Sequence, residues 1–401
     1  MSFVTTFNRI PFADWIQQVE TTEESEVLRV LGSRETGLRA FQALISPAAG
    51  RHLEALSSLS QSITQQRFGK VIRMFAPLYL SNECINNCSY CGFSRDNPIL
   101  RVTLSVDEVC RETEALVEQG FRNILLVAGE HPKFVSNGYL ESCVRALREK
   151  VPGLSLEVGP METDEYESMV RAGAEGLVVY QETYDREVYQ TMHTAGPKKD
   201  FDWRLETPER AYAAGFRRLG IGALYGLADW REEALAVAAH THYLLKHCWK
   251  SQLTVAFPRL RPCAGEFQPL SPLDDRTLVQ LLAAFRVAFP DIGLVLSTRE
   301  PAWLRDGLIP LGVTLMSAGS HTEPGGYTGA GQENLHVTEK GRVKPLSAEQ
   351  IPGGAGSVGS NPRATGQFDI ADERPPTEIA ALISRLGYEP VWKDWDASLT
   401  A

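Results

Sequence analysis

The sequence has none of the features of a membrane-spanning, secreted or nucleic-acid-binding protein. In its 401 residues, 40 Lys and Arg are outnumbered by 50 Asp and Glu, which gives a formal net charge of −10. This balance argues against bulk electrostatic binding of nucleic acid or of an acidic membrane. No stretch approaches the roughly 18 uninterrupted apolar residues of a transmembrane helix. The first residues lack the basic start and apolar run of a signal peptide. We therefore expect a cytoplasmic globular protein that binds neither membranes nor nucleic acid.

Cysteine is scarce, and its arrangement speaks against a disulfide framework. The chain has seven cysteines, an odd number, whereas a disulfide framework uses cysteines in pairs. Three of them, Cys84, Cys88 and Cys91, have the spacing CxxxCxxC, and the other four stand singly. No second CxxC pair accompanies the cluster, unlike many structural zinc sites. The cluster therefore points to a function other than cross-linking.

Apolar periodicity predicts helices first and an alternation of strands and helices afterwards. Residues 12–19, 23–31, 38–44 and 52–64 have apolar positions three and four apart, as amphipathic helices do. Ser46 and Pro47 are expected to open the last of these helices. From residue 75, short apolar runs alternate with longer amphipathic segments. The runs expected to be strands are 76–81, 123–128, 154–158, 176–181, 217–222, 253–258, 292–297 and 312–317.

Eight strand–helix units predict an α/β fold, a (β/α)8 TIM-type barrel with an N-terminal helical extension and a C-terminal tail. Continuous apolar runs are typical of buried parallel strands. A doubly wound open sheet is the alternative. The expected divisions are a helical extension (1–72), the barrel (73–327), a flexible insertion rich in Gly, Pro, Ser and Thr (328–366), and a C-terminal helix and tail that close the barrel (367–401).

The three clustered cysteines follow the first predicted strand of the barrel. Thiolates are soft ligands suited to iron–sulfur clusters or to zinc. Three cysteines on a four-iron cluster leave one iron open to a cofactor or substrate, whereas structural zinc normally takes four Cys or His ligands. Unligated core cysteines are the remaining alternative.

On these residues the chain resembles the radical S-adenosylmethionine (SAM) superfamily, in which an aromatic residue, here Tyr90, precedes the third cysteine. Within that superfamily it resembles the aromatic amino acid lyases, from about residue 10 to 400 apart from 328–366. The resemblance implies that the three cysteines bind a 4Fe–4S cluster, and that SAM on the open iron yields a 5′-deoxyadenosyl radical. The segments that carry the resemblance are 76–93, 181–207, 220–231, 257–265, 296–301, 316–327, 367–376 and 387–396.

The resemblance also implies contacts to SAM at the C-terminal ends of strands. Gly129 and Glu130 resemble the Gly-Gly-Glu motif of the superfamily, although an ordinary strand-to-helix turn is the alternative. Glycines in the fifth strand let the backbone approach adenine closely, and their spacing departs from a dinucleotide-binding fingerprint. The residues expected to contact the cofactor are Tyr90, Gly129, Glu130, Glu182, Gly220 and Gly222.

The carboxylate of an amino acid substrate needs a fork of two donors in a dry barrel, and arginine supplies it. Active sites of such barrels lie at the C-terminal ends of the strands. Arg299, after the seventh strand, is therefore expected to bind the carboxylate, with help from Arg261 and Ser320. Arg259 and Ser317 hold similar positions. A structural ion pair is the alternative role for each arginine.

The activity that the resemblance implies is radical carbon–carbon cleavage. Hydrogen abstraction from the amino group of L-tyrosine would lead to Cα–Cβ cleavage, giving 2-iminoacetate (dehydroglycine) and p-cresol for the thiazole moiety of thiamine. Thiazole synthase and an electron donor such as flavodoxin are the implied partners. A related lyase of hydrogenase maturation has a further C-terminal cysteine motif, and no cysteine follows Cys263 in this sequence. A lyase acting on tryptophan or another aromatic amino acid, and a non-catalytic iron–sulfur redox protein, are the alternatives.

Overall fold

The N-terminal part of the chain is helical, as predicted. The computed structural model describes residues 2–339, 342–346 and 363–393. The helices before the barrel are α1 (Phe3–Phe7), α2 (Phe12–Glu20), α3 (Glu24–Ser33), α4 (Leu38–Leu44), α5 (Pro47–Gly50) and α6 (Leu53–Phe68). The prediction that Ser46 opens the helix through residue 64 is wrong. Its hydroxyl caps the separate helix α5 by accepting from the Ala49 amide at 3.1 Å, and His52 leaves the helical conformation (φ −109°, ψ 28°) before α6 begins.

All eight predicted strands are present. They are β1 (Val71–Ser81), β2 (Asn123–Ala128), β3 (Gly153–Glu157), β4 (Gly176–Val178), β5 (Arg218–Gly222), β6 (Gln252–Ala256), β7 (Gly293–Leu296) and β8 (Leu315–Ser317). Strand β1 begins five residues before the predicted start at 76. Its first half alternates between buried and partly buried positions, and Arg73 interrupts the apolar run there. The sequence pattern of that half is therefore weaker than that of the buried strands.

The sheet closes into a barrel. Each strand pairs in parallel with the next one along the chain, and β8 returns to β1. The closing register places Arg73 opposite Leu315 and Phe75 opposite Ser317. This closure confirms the (β/α)8 barrel and excludes the doubly wound open sheet.

Helices cover the outside of the barrel and connect its strands. Helix α7 begins with a capping box, in which the Glu108 carboxylate accepts from the Ser105 amide at 2.6 Å. Three short 3-10 helices lie at Pro197–Lys199, Ile309–Leu311 and Gln332–Asn334. The helices are α7 (Val106–Glu118), α8 (Asn137–Leu147), α9 (Thr163–Ala172), α10 (Arg186–Met192), α11 (Phe201–Leu205), α12 (Thr207–Ala213), α13 (Trp230–His247), α14 (Asp275–Ala288), α15 (Ala302–Leu308) and α16 (Pro376–Arg385). None of the helices in the described part of the chain is long and apolar enough to span a bilayer.

Strands outside the barrel add to its two ends. A short ladder joins Asn87–Cys88 to His193–Ala195. A hairpin pairs β9 (His336–Glu339) with β10 (Arg342–Pro345). The C-terminal strand β11 (Glu389–Val391) pairs in parallel with the first residues of β1, at the end of the barrel opposite the cysteines. Residues 367–393 therefore pack along the barrel from one end to the other.

The insertion predicted at 328–366 lies only partly within the described residues. Its first part packs against the barrel. The Thr328 amide donates to the Glu112 carboxylate at 2.8 Å, and the backbones of Arg101 and His336 exchange two hydrogen bonds of 2.8 and 3.0 Å. Leu335 and Val337 are buried. Residues 340–341 and 347–362, nearly half of the predicted insertion, lie outside the described residues.

Candidate active site

The three clustered cysteines lie on the loop that follows β1. The amide of Cys91 donates to the carbonyl of Cys88 at 3.2 Å, and the amide of Ser94 donates to the carbonyl of Cys91 at 3.0 Å. Cys88 and Cys91 pack in the same apolar cluster. We call residues 82–97 the cluster loop.

A buried arginine fixes the shape of the cluster loop. The Arg101 side chain is 1% exposed, and it donates hydrogen bonds to the carbonyls of Asn82 at 2.6 Å and Ser94 at 2.8 Å. A buried guanidinium of this kind needs its donors satisfied, and the carbonyls of the loop satisfy them. Arg101 could not be predicted from the sequence, because no local pattern distinguishes it from a surface arginine.

The surroundings of the cysteines suit ligands to an iron–sulfur cluster. Burial raises the pKa of the Cys84 and Cys88 thiols, so iron must displace their protons. The amide nitrogen of Asn86 lies 3.7 Å from the sulfur of Cys84, and that of Gln367 lies 3.8 Å from the sulfur of Cys91. These N–H groups are donors that a thiolate accepts and that outer-shell partners of a cluster supply.

The arrangement does not suit a single metal ion. Within the described residues, no three His, Cys, Asp or Glu side chains come together to hold one. Cysteines that bind different irons of one cluster stand farther apart than the ligands of a single ion. The residues present therefore fit a cluster better than a zinc site.

Tyr90 is held in place by a neutral histidine. Burial lowers the pKa of His193 to about 3. Its Nδ1 lies 2.8 Å from the Tyr189 carbonyl, which can only accept, so Nδ1 carries the proton. Nε2 therefore accepts from the Tyr90 hydroxyl at 2.7 Å. This contact anchors the cluster loop between Cys88 and Cys91.

Gly129 and Glu130 lie against the cluster loop. A Cβ at Gly129 would come within 2.3 Å of the Glu83 carbonyl and 3.2 Å of the Cys84 Cβ, so only glycine allows this approach. The Glu130 carboxylate accepts from the Asn86 amide at 2.7 Å. The two residues therefore hold the backbone around Cys84, in addition to any contact with SAM.

Glu182 is the centre of a buried charge cluster. One of its oxygens, Oε1, lies 2.6 Å from Lys198 Nζ and 3.2 Å from an Arg204 nitrogen. Burial by itself would raise the pKa of Glu182, but the two cations outweigh it and hold the pKa below its ordinary value. Its backbone adopts φ 73°, a conformation that non-glycine residues rarely adopt outside functional sites. Lys198 and Arg204 were not predicted, because they lie in the 3-10 helix at Pro197–Lys199 and in α11 and reach Glu182 only in the folded chain.

The fifth strand carries Gly220 and Gly222 where neighbouring side chains leave no room. A Cβ at Gly222 would lie 2.5 Å from the Ala256 carbonyl and 3.1 Å from the ring of Tyr180. A Cβ at Gly220 would lie 2.9 Å from a methyl of Val178. Both glycines therefore have a packing role in the barrel, whatever they contact in a cofactor.

A cavity opens inside the barrel at the C-terminal ends of its strands. Arg299 and Ser320 both line it, as do Tyr79, Glu157 and Tyr180. The hydroxyl of Ser320 is buried and has no hydrogen-bond partner in the described residues. The cavity therefore presents unsatisfied polar groups to a ligand.

Glu157, at the end of β3, was missed by the sequence analysis. Burial, with a smaller contribution from the negative charge of Glu182, raises the pKa of Glu157 to about 7. A perturbed carboxyl in a cleft is typical of functional sites. Strand β3 stands four strands away from β7 in the ring of eight. Glu157 and Arg299, which follows β7, both line the cavity, and the positive charge of Arg299 opposes the rise in the pKa of Glu157.

The other two arginines lie elsewhere. Arg259 is bound by two carboxylates, with its Nε 3.0 Å from Glu300 and its Nη1 2.7 Å from Asp275. It therefore forms structural ion pairs. Arg261 does not line the cavity, and its buried Nε has no hydrogen-bond partner among the described residues.

A closed (β/α)8 barrel with a three-cysteine loop after its first strand defines a radical SAM enzyme, and comparison with family models agrees. The Radical SAM superfamily model matches residues 78–238, and the Biotin and Thiamin Synthesis associated domain model matches residues 256–389. Membership of the superfamily implies a 4Fe–4S cluster and SAM as cofactors.

Full-length relatives narrow the class. The chain is 40% identical to 2-iminoacetate synthase of Escherichia coli (strain K12) over 399 residues, covering 99% of this chain and 98% of the relative. The Salmonella typhimurium (strain LT2) enzyme of the same name is 39% identical with the same coverage. The chain therefore belongs to the 2-iminoacetate synthase family, which confirms the predicted resemblance to radical SAM carbon–carbon lyases.

Solved structures support the same fold. The FeFe-hydrogenase maturase HydG from Carboxydothermus hydrogenoformans superposes with a TM-score of 0.80 at 32% identity, covering 98% of this chain and 84% of that one. The barrel, the N-terminal helices and the C-terminal segment thus recur together in a related protein.

Proposed function

We propose that this protein cleaves the Cα–Cβ bond of L-tyrosine to give 2-iminoacetate and p-cresol. The cavity lined by Arg299, Ser320 and Glu157 is the observation that carries the proposal. It presents the guanidinium of Arg299, which can bind the carboxylate of an amino acid. It also presents the carboxyl of Glu157 and the hydroxyl of Tyr180, which can bind a phenol. The family assignment supports the same substrate.

The cofactor side of the site is assigned to the cluster loop and the neighbouring strand ends. Cys84, Cys88 and Cys91 would hold the cluster. Glu182 uses Oε1 for its two cations, so Oε2 is available to accept from SAM. Glu130 lies beside the cluster loop and is a second candidate. When bound, the cluster and SAM supply a radical that removes a hydrogen atom from the substrate.

Arg299 would bind the carboxylate of tyrosine. Its guanidinium forms no ion pair or side-chain hydrogen bond with the residues that the structure describes, and it faces the cavity. The unpartnered hydroxyl of Ser320 can donate to the same carboxylate. A bidentate contact of this kind fixes the orientation of the amino acid as well as its position.

Glu157 and Tyr180 would bind the phenol at the opposite side. An ionised Glu157 accepts a hydrogen bond from the phenol hydroxyl, and the Tyr180 hydroxyl provides a second polar contact. A site built around a substrate hydroxyl rejects the analogue that lacks it, because its own buried polar groups are then left unpaired. Phenylalanine is therefore expected to be a poor substrate.

The protein itself positions the substrate and excludes water from the cavity. A radical reaction needs one substrate hydrogen close to the radical and no competing donors. The closed barrel and the C-terminal segment at 367–368 enclose the cavity for this purpose. We further propose that the reactive imine passes to thiazole synthase in the cytoplasm and that a donor such as flavodoxin supplies electrons.

The proposal is tested by anaerobic turnover of the reconstituted protein with SAM and, separately, tyrosine, tryptophan and phenylalanine. Tyrosine is expected to give p-cresol. It is also expected to give 5′-deoxyadenosine at a rate well above the rates with tryptophan and phenylalanine. Preferred cleavage of tryptophan would transfer the assignment to an indole substrate. Absence of 5′-deoxyadenosine with every amino acid would favour a non-catalytic iron–sulfur protein.

A further inference from the structure

The side chain of Gln367 lies between the barrel and the cluster loop. Its Nε2 is 3.8 Å from the sulfur of Cys91, and its Oε1 accepts from the Tyr79 hydroxyl at 2.9 Å. Its backbone is fixed as well, because its amide donates to the Thr322 carbonyl at 3.0 Å and its carbonyl accepts from the Gly92 amide at 3.1 Å. The residue is therefore held on both sides next to a cluster ligand.

The approach of the two segments depends on Gly92. A Cβ there would lie 2.5 Å from the Gln367 carbonyl and 2.9 Å from the Gly366 carbonyl. Only glycine lets the chain at 366–367 come this close to the cluster loop. The contact between Gln367 and Cys91 is thus built into the backbone.

The orientation of the Gln367 amide is set by its second partner. Burial raises the pKa of Tyr79 well above its ordinary value, so its hydroxyl keeps its proton and donates to Oε1. The NH2 group then faces sulfur. A flipped amide would place its oxygen against an anionic thiolate and lose the bond from Tyr79.

We infer that Gln367 is a positioning residue for the cluster, whose amide donates a hydrogen bond to the Cys91 thiolate and raises the midpoint potential of the cluster, with Tyr79 fixing the amide. The inference rests on the proposed cluster ligands. Reduction adds one electron from an external low-potential donor to the cluster and its thiolates, and moves no proton at Gln367. A donor at the sulfur stabilises the more negative state, and hydrogen bonds to sulfur are one of the ways a protein sets cluster potentials.

The test is an EPR-monitored redox titration of the reconstituted protein without SAM. Gln367→Leu removes the donor and keeps the bulk, so its midpoint potential is expected to be more negative than that of the wild type. Gln367→Glu puts a carboxyl in place of the donor and is expected to shift the midpoint at least as far. Tyr79→Phe frees the amide and should give a smaller shift in the same direction.

Gln65→Leu is the matched control. Gln65 is likewise hydrogen-bonded to a tyrosine, since its amide donates to the Tyr388 hydroxyl at 3.2 Å, but it lies at the other end of the barrel. Its midpoint is expected to equal that of the wild type. A Gln367→Leu protein with full iron content and an unchanged midpoint would overturn the inference. If Gln367→Leu loses iron, an unchanged midpoint potential in Tyr79→Phe would overturn the inference instead. Failure of the wild type itself to give a reducible cluster would instead refute the cluster assignment.

Discussion

The guanidinium of Arg299 lies on the ring of Phe368, with its central carbon 3.4 Å from the ring centroid. The two residues come from distant parts of the chain, and both line the cavity. Stacking on an aromatic face orients the planar guanidinium and leaves its N–H groups free to point sideways. The C-terminal segment thus holds the arginine that we assign to the substrate carboxylate.

Substitution of Arg299 is expected to weaken tyrosine binding strongly. Loss of one partner of a buried charged hydrogen bond costs about 2–5 kcal/mol, or roughly 30- to 5,000-fold in affinity. Arg299→Ala should show this loss in kcat/KM, and Arg299→Lys should not restore activity, because a point charge lacks the fork. Arg148→Lys, an exposed arginine, is the control. Wild-type turnover of tyrosine in both Arg299 variants would return Arg299 to a structural role.

Alanine at Gly129 is expected to disrupt the cluster. The new Cβ meets the Glu83 carbonyl at 2.3 Å, and this backbone atom cannot move without shifting Cys84. Iron and sulfide per protein should fall well below the wild-type value. Gly138→Ala is the matched control, because a Cβ there meets no atom within 4 Å. Equal iron content in the two variants would count against a role for Gly129 at the cluster loop.

Glu157 is expected to set a pH dependence. Because its pKa is raised to about 7, its carboxyl is protonated below that pH and ionised above it. The ionised form is the stronger acceptor of the phenol hydrogen bond, so kcat/KM for tyrosine should rise with pH through about 7. Glu157→Gln should lose this rise and discriminate less between tyrosine and phenylalanine. Glu323→Gln, which changes a carboxyl that does not line the cavity, is the control. An unchanged profile in Glu157→Gln would remove Glu157 from substrate binding.

The remaining cysteines provide an internal comparison for the cluster ligands. Alanine at Cys84, Cys88 or Cys91 should abolish turnover and most cluster absorbance. Cys110→Ser and Cys143→Ala, in helices α7 and α8, should retain both. A triple variant of the clustered cysteines that kept full iron and sulfide would show that the cluster is bound elsewhere.

The barrel could be predicted because its strands are buried and continuous in sequence. The run at 123–128 matches β2 at both ends, since all its apolar residues belong to one strand. Strand β1 was placed too late, because its first half acquires its partners only when the sheet closes on β8. Ser46 was assigned to the wrong helix because a cap-and-proline pattern fits a one-turn helix as well as a long one.

The cysteines could be found from their spacing, since all three ligands lie on one short loop. Contacts between distant segments could not be found from the sequence. Glu182 was expected at the site, but nothing local shows that Lys198 and Arg204 neutralise it. The same holds for Phe368 beneath Arg299, which is 69 positions away in sequence, and for the carboxyl of Glu157, whose environment exists only inside the closed barrel.

Radical cleavage that begins at the amino group is tested by a single turnover of tyrosine in D2O, where the amino hydrogens exchange with solvent. We expect equal amounts of p-cresol and 5′-deoxyadenosine, with one deuterium from the amino group in the 5′-deoxyadenosine. Formation of 5′-deoxyadenosine without p-cresol, or without deuterium, would contradict radical Cα–Cβ cleavage that begins at the amino group of tyrosine.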